Sequence, residues 1–122
     1  MNTTTTMSAR KLAEYLYGRT YRLGSERLMQ DDVERAFKQD EIEYEREKVL
    51  GPGDRVDFLV GGIALELKIK GRPAQIVKQI ERYATHDAVD SIVLLTNVPM
   101  PRIPRLHQAK PCYVVSLART AF

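Results

Sequence analysis

Apolar positions recur at helical spacing in three stretches of the chain. Leu12, Tyr15 and Leu16 in "ARKLAEYLYG" predict a short helix that stops at Gly18. Met29, Val33, Ala36 and Phe37 form a stripe that predicts a second helix over 25–39, with Ser25 placed to cap it. In "RPAQIVKQIERYATHDA", Pro73 suits a first helical turn, and Ile76, Val77, Ile80 and Ala84 supply the apolar face of a third helix.

Between and after these stretches the period changes. "EIEYEREKVL" alternates up to Gly51-Pro52-Gly53 and predicts a first strand. Two more strands, near 55–60 and 63–69, flank Gly61-Gly62, a two-residue loop of the kind that closes a tight hairpin. "SIVLLTNV" is a continuous apolar run of strand length, as expected for a strand covered on both faces. "PMPRIPRLHQAKP", with four prolines, reads as a loop with at most one helical turn, and "CYVVSLA" as a last strand. After the short first helix the order is helix, three strands, helix, strand, strand. That order predicts an α/β fold in which helices flank a mixed β-sheet.

A length of 122 residues supports a single domain, placed over 9–122 behind a threonine-rich tail, 1–8, that offers nothing apolar to bury and is expected to be disordered. No apolar run approaches the roughly 18 residues a membrane span needs, and the N-terminus lacks a secretory apolar region. A cytoplasmic, non-secreted protein with no membrane contact is therefore expected. The single cysteine, Cys112, excludes an internal disulfide and is expected to be a buried strand residue. The net charge of +3 is mild, but it is unevenly spread. Acids outnumber bases over 25–50, whereas Arg102, Arg105, Lys110 and Arg119 stand in an acid-free C-terminal segment, and Arg10, Lys11, Arg19 and Arg22 crowd the first 24 residues. Two basic segments of this kind suit an anionic partner such as nucleic acid.

The hairpin "DRVDFLVGGIALELKIKG" carries the most chemistry. With Val60 and Ile63 flanking the turn, Asp57 falls opposite Glu66 and Arg55 opposite Lys68. Alternation then groups Val56, Phe58 and Val60 with Ile63, Leu65, Leu67 and Ile69 on a core face, and Asp57, Leu59, Ala64, Glu66, Lys68 and Lys70 on the other. Like charges directly opposite one another destabilise a strand pair. Two arrangements resolve this: a divalent cation between the carboxylates, Mg²⁺ or Mn²⁺ by the oxygen-only ligand set, or diagonal ion pairs to Arg55 or Lys68. His86 and His107 have no acid partner at a motif spacing and read as surface histidines.

Asp57, eight intervening residues and Glu66-Leu67-Lys68 resemble the D…ExK signature of the PD-(D/E)xK nuclease superfamily, which includes restriction enzymes, Holliday-junction resolvases and RecB-type exonuclease domains. Gln79-x-x-x-Tyr83 resembles the QxxxY motif of its RecB-like branch, and Glu26 stands where many members carry a supporting glutamate. Glu26 also precedes Met29, Val33 and Phe37 by 3, 7 and 11 residues, on the inward face of its helix. The proline usual before the first aspartate is replaced by Val56. The likeness runs over residues 24–97 and implies a restriction-endonuclease-like αβββαβ core.

It further implies that Asp57, Glu66 and the backbone carbonyl of Leu67 bind Mg²⁺ or Mn²⁺ and that Lys68 handles the attacking water or the phosphate charge. Glu26 and Gln79 would support catalysis, with Tyr83, Lys70, Arg72 and Gln75 toward the nucleic acid. The expected function is a metal-dependent nuclease cutting DNA phosphodiesters by structure or end rather than by sequence, as a homodimer or larger homo-oligomer. A non-catalytic DNA-binding or assembly module, or an RNA endonuclease, would carry the same residues.

Overall fold

The computed structural model describes residues 7–100 and 110–117. Helices α1 (Ala9–Leu16) and α2 (Glu26–Gln39) come first, followed by strands β1 (Glu45–Gly51), β2 (Asp54–Val60) and β3 (Ile63–Lys68). Helix α3 (Pro73–Ala84) then leads into β4 (Ser91–Thr96) and β5 (Cys112–Ser116). All five strands join one sheet in the order β1-β2-β3-β4-β5. The first three form an antiparallel meander, and β4 and β5 run parallel to β3. This is an α/β fold with a mixed sheet flanked by helices, as the hydrophobic pattern predicts.

The helix ends follow from local chemistry. Ser8 Oγ accepts the Lys11 N–H and Ser25 Oγ the Leu28 N–H, both at 3.1 Å, satisfying donors that the first turn leaves open. Ser8 is thus a cap and Met7 packs against the core, so residues 7 and 8 belong to the fold and not to the expected tail. Residues 1–6 of the expected tail lie outside the described residues, as does the proline-rich stretch 101–109. At the end of α2, Glu41 takes φ 56° and the Ile42 N–H returns to the Phe37 carbonyl at 2.9 Å. That closure uses residues which alternation alone assigns to a strand, so β1 starts at Glu45 rather than Glu41.

The sheet separates two apolar layers. Leu12 and Leu16 of α1 and Met29, Val33 and Phe37 of α2 pack on one face, against Phe58, Val60, Ile63, Leu65, Leu67, Val93 and Leu95. Ile76, Ile80, Tyr83 and Ala84 of α3 pack on the other, against Val56, Leu59, Ala64, Ile92 and Leu94. β4 alternates between the layers and is buried along its whole length. Both faces of the hairpin are therefore covered. Val56 departs from the expected grouping: it packs with α3, opposite in face to Phe58, so the alternation reverses across Asp57. On the neighbouring strand the register passes from Arg46↔Phe58 to Lys48↔Val56, and Glu47 between them sits at φ 55°, a left-handed conformation that costs an L-residue about 1 kcal/mol. The irregularity in both strands falls at the level of Asp57.

Candidate functional site

The Gly61-Gly62 loop closes the hairpin in the expected register, Val60↔Ile63, Leu59↔Ala64 and Phe58↔Leu65. Gly61 has φ 60°, a conformation that favours glycine, and a Cβ on Gly62 would collide with the Asp90 carboxylate unless that side chain moved. Beyond Phe58↔Leu65 the backbone ladder stops and side chains take over its donors. The Asp57 N–H points to Glu66 Oε1 at 3.3 Å, and the Leu67 N–H to Asp57 Oδ2 at 2.8 Å. The two carboxylates are therefore built into the gap between β2 and β3 rather than projecting from a solvated face. Arg55 does not meet Lys68; it pairs with Glu47 on β1 at 3.2 Å.

Each carboxylate is held from a different helix. On the α2 side, Gln30 Nε2 donates to Asp57 Oδ1 at 2.8 Å. On the α3 side, the Tyr83 hydroxyl directs its proton at Glu66 Oε1, 3.2 Å away, and at the Arg55 carbonyl, 3.0 Å away, while accepting from Gln79 Nε2 at 2.8 Å. Lys68 Nζ reaches back to Glu66 Oε2 at 3.4 Å. Glu26, on the first turn of α2, accepts the Ile69 N–H at 3.1 Å and so fixes the chain where it leaves β3.

Burial decides the electrostatics. The Glu66 side chain is 4% exposed, and its carboxyl is pushed above the ordinary range, first by burial and then by the Asp57 charge, with Lys68 opposing. Asp57 is raised as well, mainly by burial, with the Leu67 N–H pulling it down and the charges of Glu26 and Glu47 pushing it up. Tyr83, fully buried, is raised by burial and by the adjacent Glu66. Among the described residues a buried and a partly buried carboxylate thus share one ammonium, an arrangement that favours taking up a proton or a cation.

Among the described residues no three His, Cys, Asp or Glu side chains gather closely enough to hold a metal ion, and Glu26 does not join the pair. Two carboxylates with a carbonyl and waters still match the sparse protein ligation of Mg²⁺. Among the described residues each oxygen of Asp57 has one donor and Glu66 Oε2 has Lys68, which leaves lone pairs for a cation.

Beside Lys68 runs a groove of about 310 Å³, lined by Lys70, Arg72, Gln75, Gln79 and Arg82 among others, with four cationic side chains and no carboxylate. Lys70, Arg72 and Gln75 are exposed there as expected. Tyr83 is not: wholly enclosed between α3 and the sheet, it supports Glu66 and has no surface for a nucleic-acid strand. A cavity of about 840 Å³ lies at the opposite end of β3 around Gly61 and Gly62 and contains none of these residues.

Two features escape the sequence patterns. Gln30 is buried beside Asp57; its signal was a polar residue four after Glu26 and three before Val33, inside an inward stripe. His86 does have an acid partner, Asp54, at 2.8 Å, and Asp54 also takes Arg82 at 3.0 Å, so this cluster pins the end of α3 to the β1–β2 turn. Asp54 lies 32 residues before His86, too far for a local spacing to announce it. His107 lies outside the described residues, and Cys112 is only half-buried, on the edge strand β5.

No helix among the described residues is long and apolar enough to cross a membrane. Comparison with protein-family models, with curated proteins and with solved structures finds no match to this chain.

Proposed function

We propose that this chain is a Mg²⁺- or Mn²⁺-dependent nuclease with a PD-(D/E)xK-like core, hydrolysing phosphodiester bonds of DNA. The observation that carries the proposal is the convergence of Asp57, Glu66 and Lys68 where the β2–β3 ladder ends, with Glu66 buried, Asp57 partly buried, and Lys68 the cation paired with them among the described residues. A purely structural pair would more simply be neutral or matched by two cations.

Asp57, Glu66 and the Leu67 carbonyl would hold the cation. Once bound, it supplies positive charge that acidifies water and offsets the charge gathering on the phosphate. Lys68, 20% exposed and 3.4 Å from Glu66, stands at the open side, where its ammonium would hydrogen-bond the attacking water or a phosphate oxygen. Tyr83 and Gln79 keep Glu66 oriented from α3, and Glu26 ties down the strand end at Ile69, so the triad sits on rigid elements. The basic groove beside Lys68 supports a backbone path for the strand: its four cationic side chains would neutralise phosphates. Cleavage governed by strand ends or branches rather than by sequence fits that surface. A homodimer or larger homo-oligomer is part of the proposal, because one domain of this size covers few nucleotides.

The test is incubation with supercoiled, linear, single-stranded and branched DNA, and with RNA, in Mn²⁺ and in EDTA. Cleavage of at least one DNA form in Mn²⁺ alone is expected. Binding without cleavage would make the chain a DNA-binding module, and cleavage confined to RNA would change the substrate class.

A further inference from the structure

We infer that Gln30 is a positioning residue for Asp57, and that Arg46 sets the orientation in which it works; this rests on the metal-dependent reading above. A glutamine amide is nearly symmetric in shape, and only its neighbours decide which end is the donor. Here both neighbours agree. Arg46, which can only donate, reaches Gln30 Oε1 through Nε at 3.2 Å and Nη2 at 3.0 Å. The NH₂ is thereby turned onto Asp57 Oδ1. The reversed amide would set oxygen against carboxylate and NH₂ against guanidinium.

Arg46 is itself held in place. Its Nη1 pairs with Asp31 at 2.9 Å and with Glu34 at 2.7 Å, and Glu34 takes the Tyr44 hydroxyl at 2.6 Å. With its charge engaged by two carboxylates of α2, Arg46 serves Gln30 as a fixed pair of donors. Asp57 then has one oxygen on the Leu67 N–H and the other on Gln30, which stops its carboxylate from rotating. A buried glutamine on an otherwise apolar stripe, Met29, Val33 and Phe37, needs such a reason. Partners of this kind behind a metal-binding carboxylate typically change metal affinity by about 10- to 100-fold when removed.

The test is calorimetric titration of Mn²⁺ alone, without nucleic acid, into wild type, Gln30→Met and Arg46→Lys. Gln30→Met keeps the side chain's length and removes the amide. Arg46→Lys keeps the charge on Asp31 and Glu34 but removes the fork onto Gln30, and it serves where the first variant folds poorly. Melting in EDTA measures the structural effect separately. We expect Mn²⁺ affinity to fall by roughly tenfold or more in Gln30→Met and by less in Arg46→Lys, with melting in EDTA changed far less. Unaltered affinity in both variants, with wild type binding Mn²⁺, overturns the role of Gln30 and leaves the nuclease proposal standing. Wild type that binds no Mn²⁺ overturns both.

Discussion

The carboxylate of Asp57 accepts the backbone N–H of Leu67 at 2.8 Å, standing where the next rung of the β2–β3 ladder would be. A side chain in that place keeps the strands joined while leaving the carboxylate partly buried beside Glu66. The architecture and the charge problem therefore have one origin, and the charge problem has a measurable consequence.

Glu66→Gln tests it. The Gln oxygen can keep the bonds from the Asp57 N–H and the Tyr83 hydroxyl, while the charge is lost and an NH₂ replaces the acceptor that faces Lys68, whose partly exposed ammonium can turn to water. Asp57→Asn is less clean, because Asp57 accepts from Gln30 and Leu67 on separate oxygens and an amide would turn a donor on one of them. Both carboxyls are raised in the folded state, so their contribution is fully present below the ordinary carboxylate pKa of about 4 and is lost as pH rises through the raised values. Asp32, Asp54 and Glu34 are lowered and act in the opposite sense, at acid pH. In EDTA, the wild-type melting temperature relative to Glu66→Gln should therefore decline from mildly acid toward neutral and slightly alkaline pH. At neutral pH the variant should melt as high as wild type or higher. Mn²⁺ at about 100 times its Kd should add roughly 2.7 kcal/mol, several degrees, to wild type alone. A variant that melts well below wild type in EDTA would make Glu66 a structural ion-pair residue.

Tyr83→Phe removes one hydroxyl and leaves Glu66, the Arg55 carbonyl and Gln79 each short of a partner. In a fully buried position this should cost about 1–3 kcal/mol, read as a lower melting temperature, together with weaker Mn²⁺ binding. Gln79→Ala, in a half-buried residue whose amide donates to that hydroxyl, should lower activity by more than it lowers melting. Wild-type melting and metal affinity in Tyr83→Phe would remove α3 from the support of Glu66.

In the groove, Lys70→Ala and Arg72→Ala should each weaken binding to all DNA forms alike and reduce the salt slope of log K by about 1. Arg82→Ala should do the same with a small added loss of stability, since its half-exposed guanidinium pairs with Asp54. Arg10→Ala, on the cavity at the other end of the sheet, should change nothing in binding. Fluorescence anisotropy across a salt series separates these outcomes. Equal effects from Arg10 and Arg72 would mean that the attraction is unspecific.

Much of this arrangement is legible along the chain. Gly61-Gly62 alone places Phe58 opposite Leu65, and Pro73 starts α3 where its apolar period begins. The carboxylates show as misfits on a strand, and Glu26 as a misfit on an inward helical stripe. What escaped is what depends on long-range geometry. Alternation cannot register the reversal at Asp57, because Val56 and Phe58 are both apolar and either face would take them. Gln30 could not be told from a tolerated polar residue until Asp57 stood beside it. A regular ladder continued past Phe58 would set Arg55 opposite Lys68, but carboxylates replace the ladder there and Arg55 turns to Glu47.

The most direct measurement is the single-turnover cleavage rate of wild type and Lys68→Ala on a labelled DNA in Mn²⁺, with binding to the same DNA measured in EDTA. Among the described residues Lys68 is the ammonium paired with the two carboxylates, through Glu66, and three other cations of the groove remain when it is removed. The account predicts Mn²⁺-dependent cleavage by wild type, a fall of roughly 10²–10⁴ in Lys68→Ala, and nearly unchanged binding. Cleavage by Lys68→Ala at the wild-type rate, or no cleavage by wild type of any DNA in Mn²⁺, would contradict it.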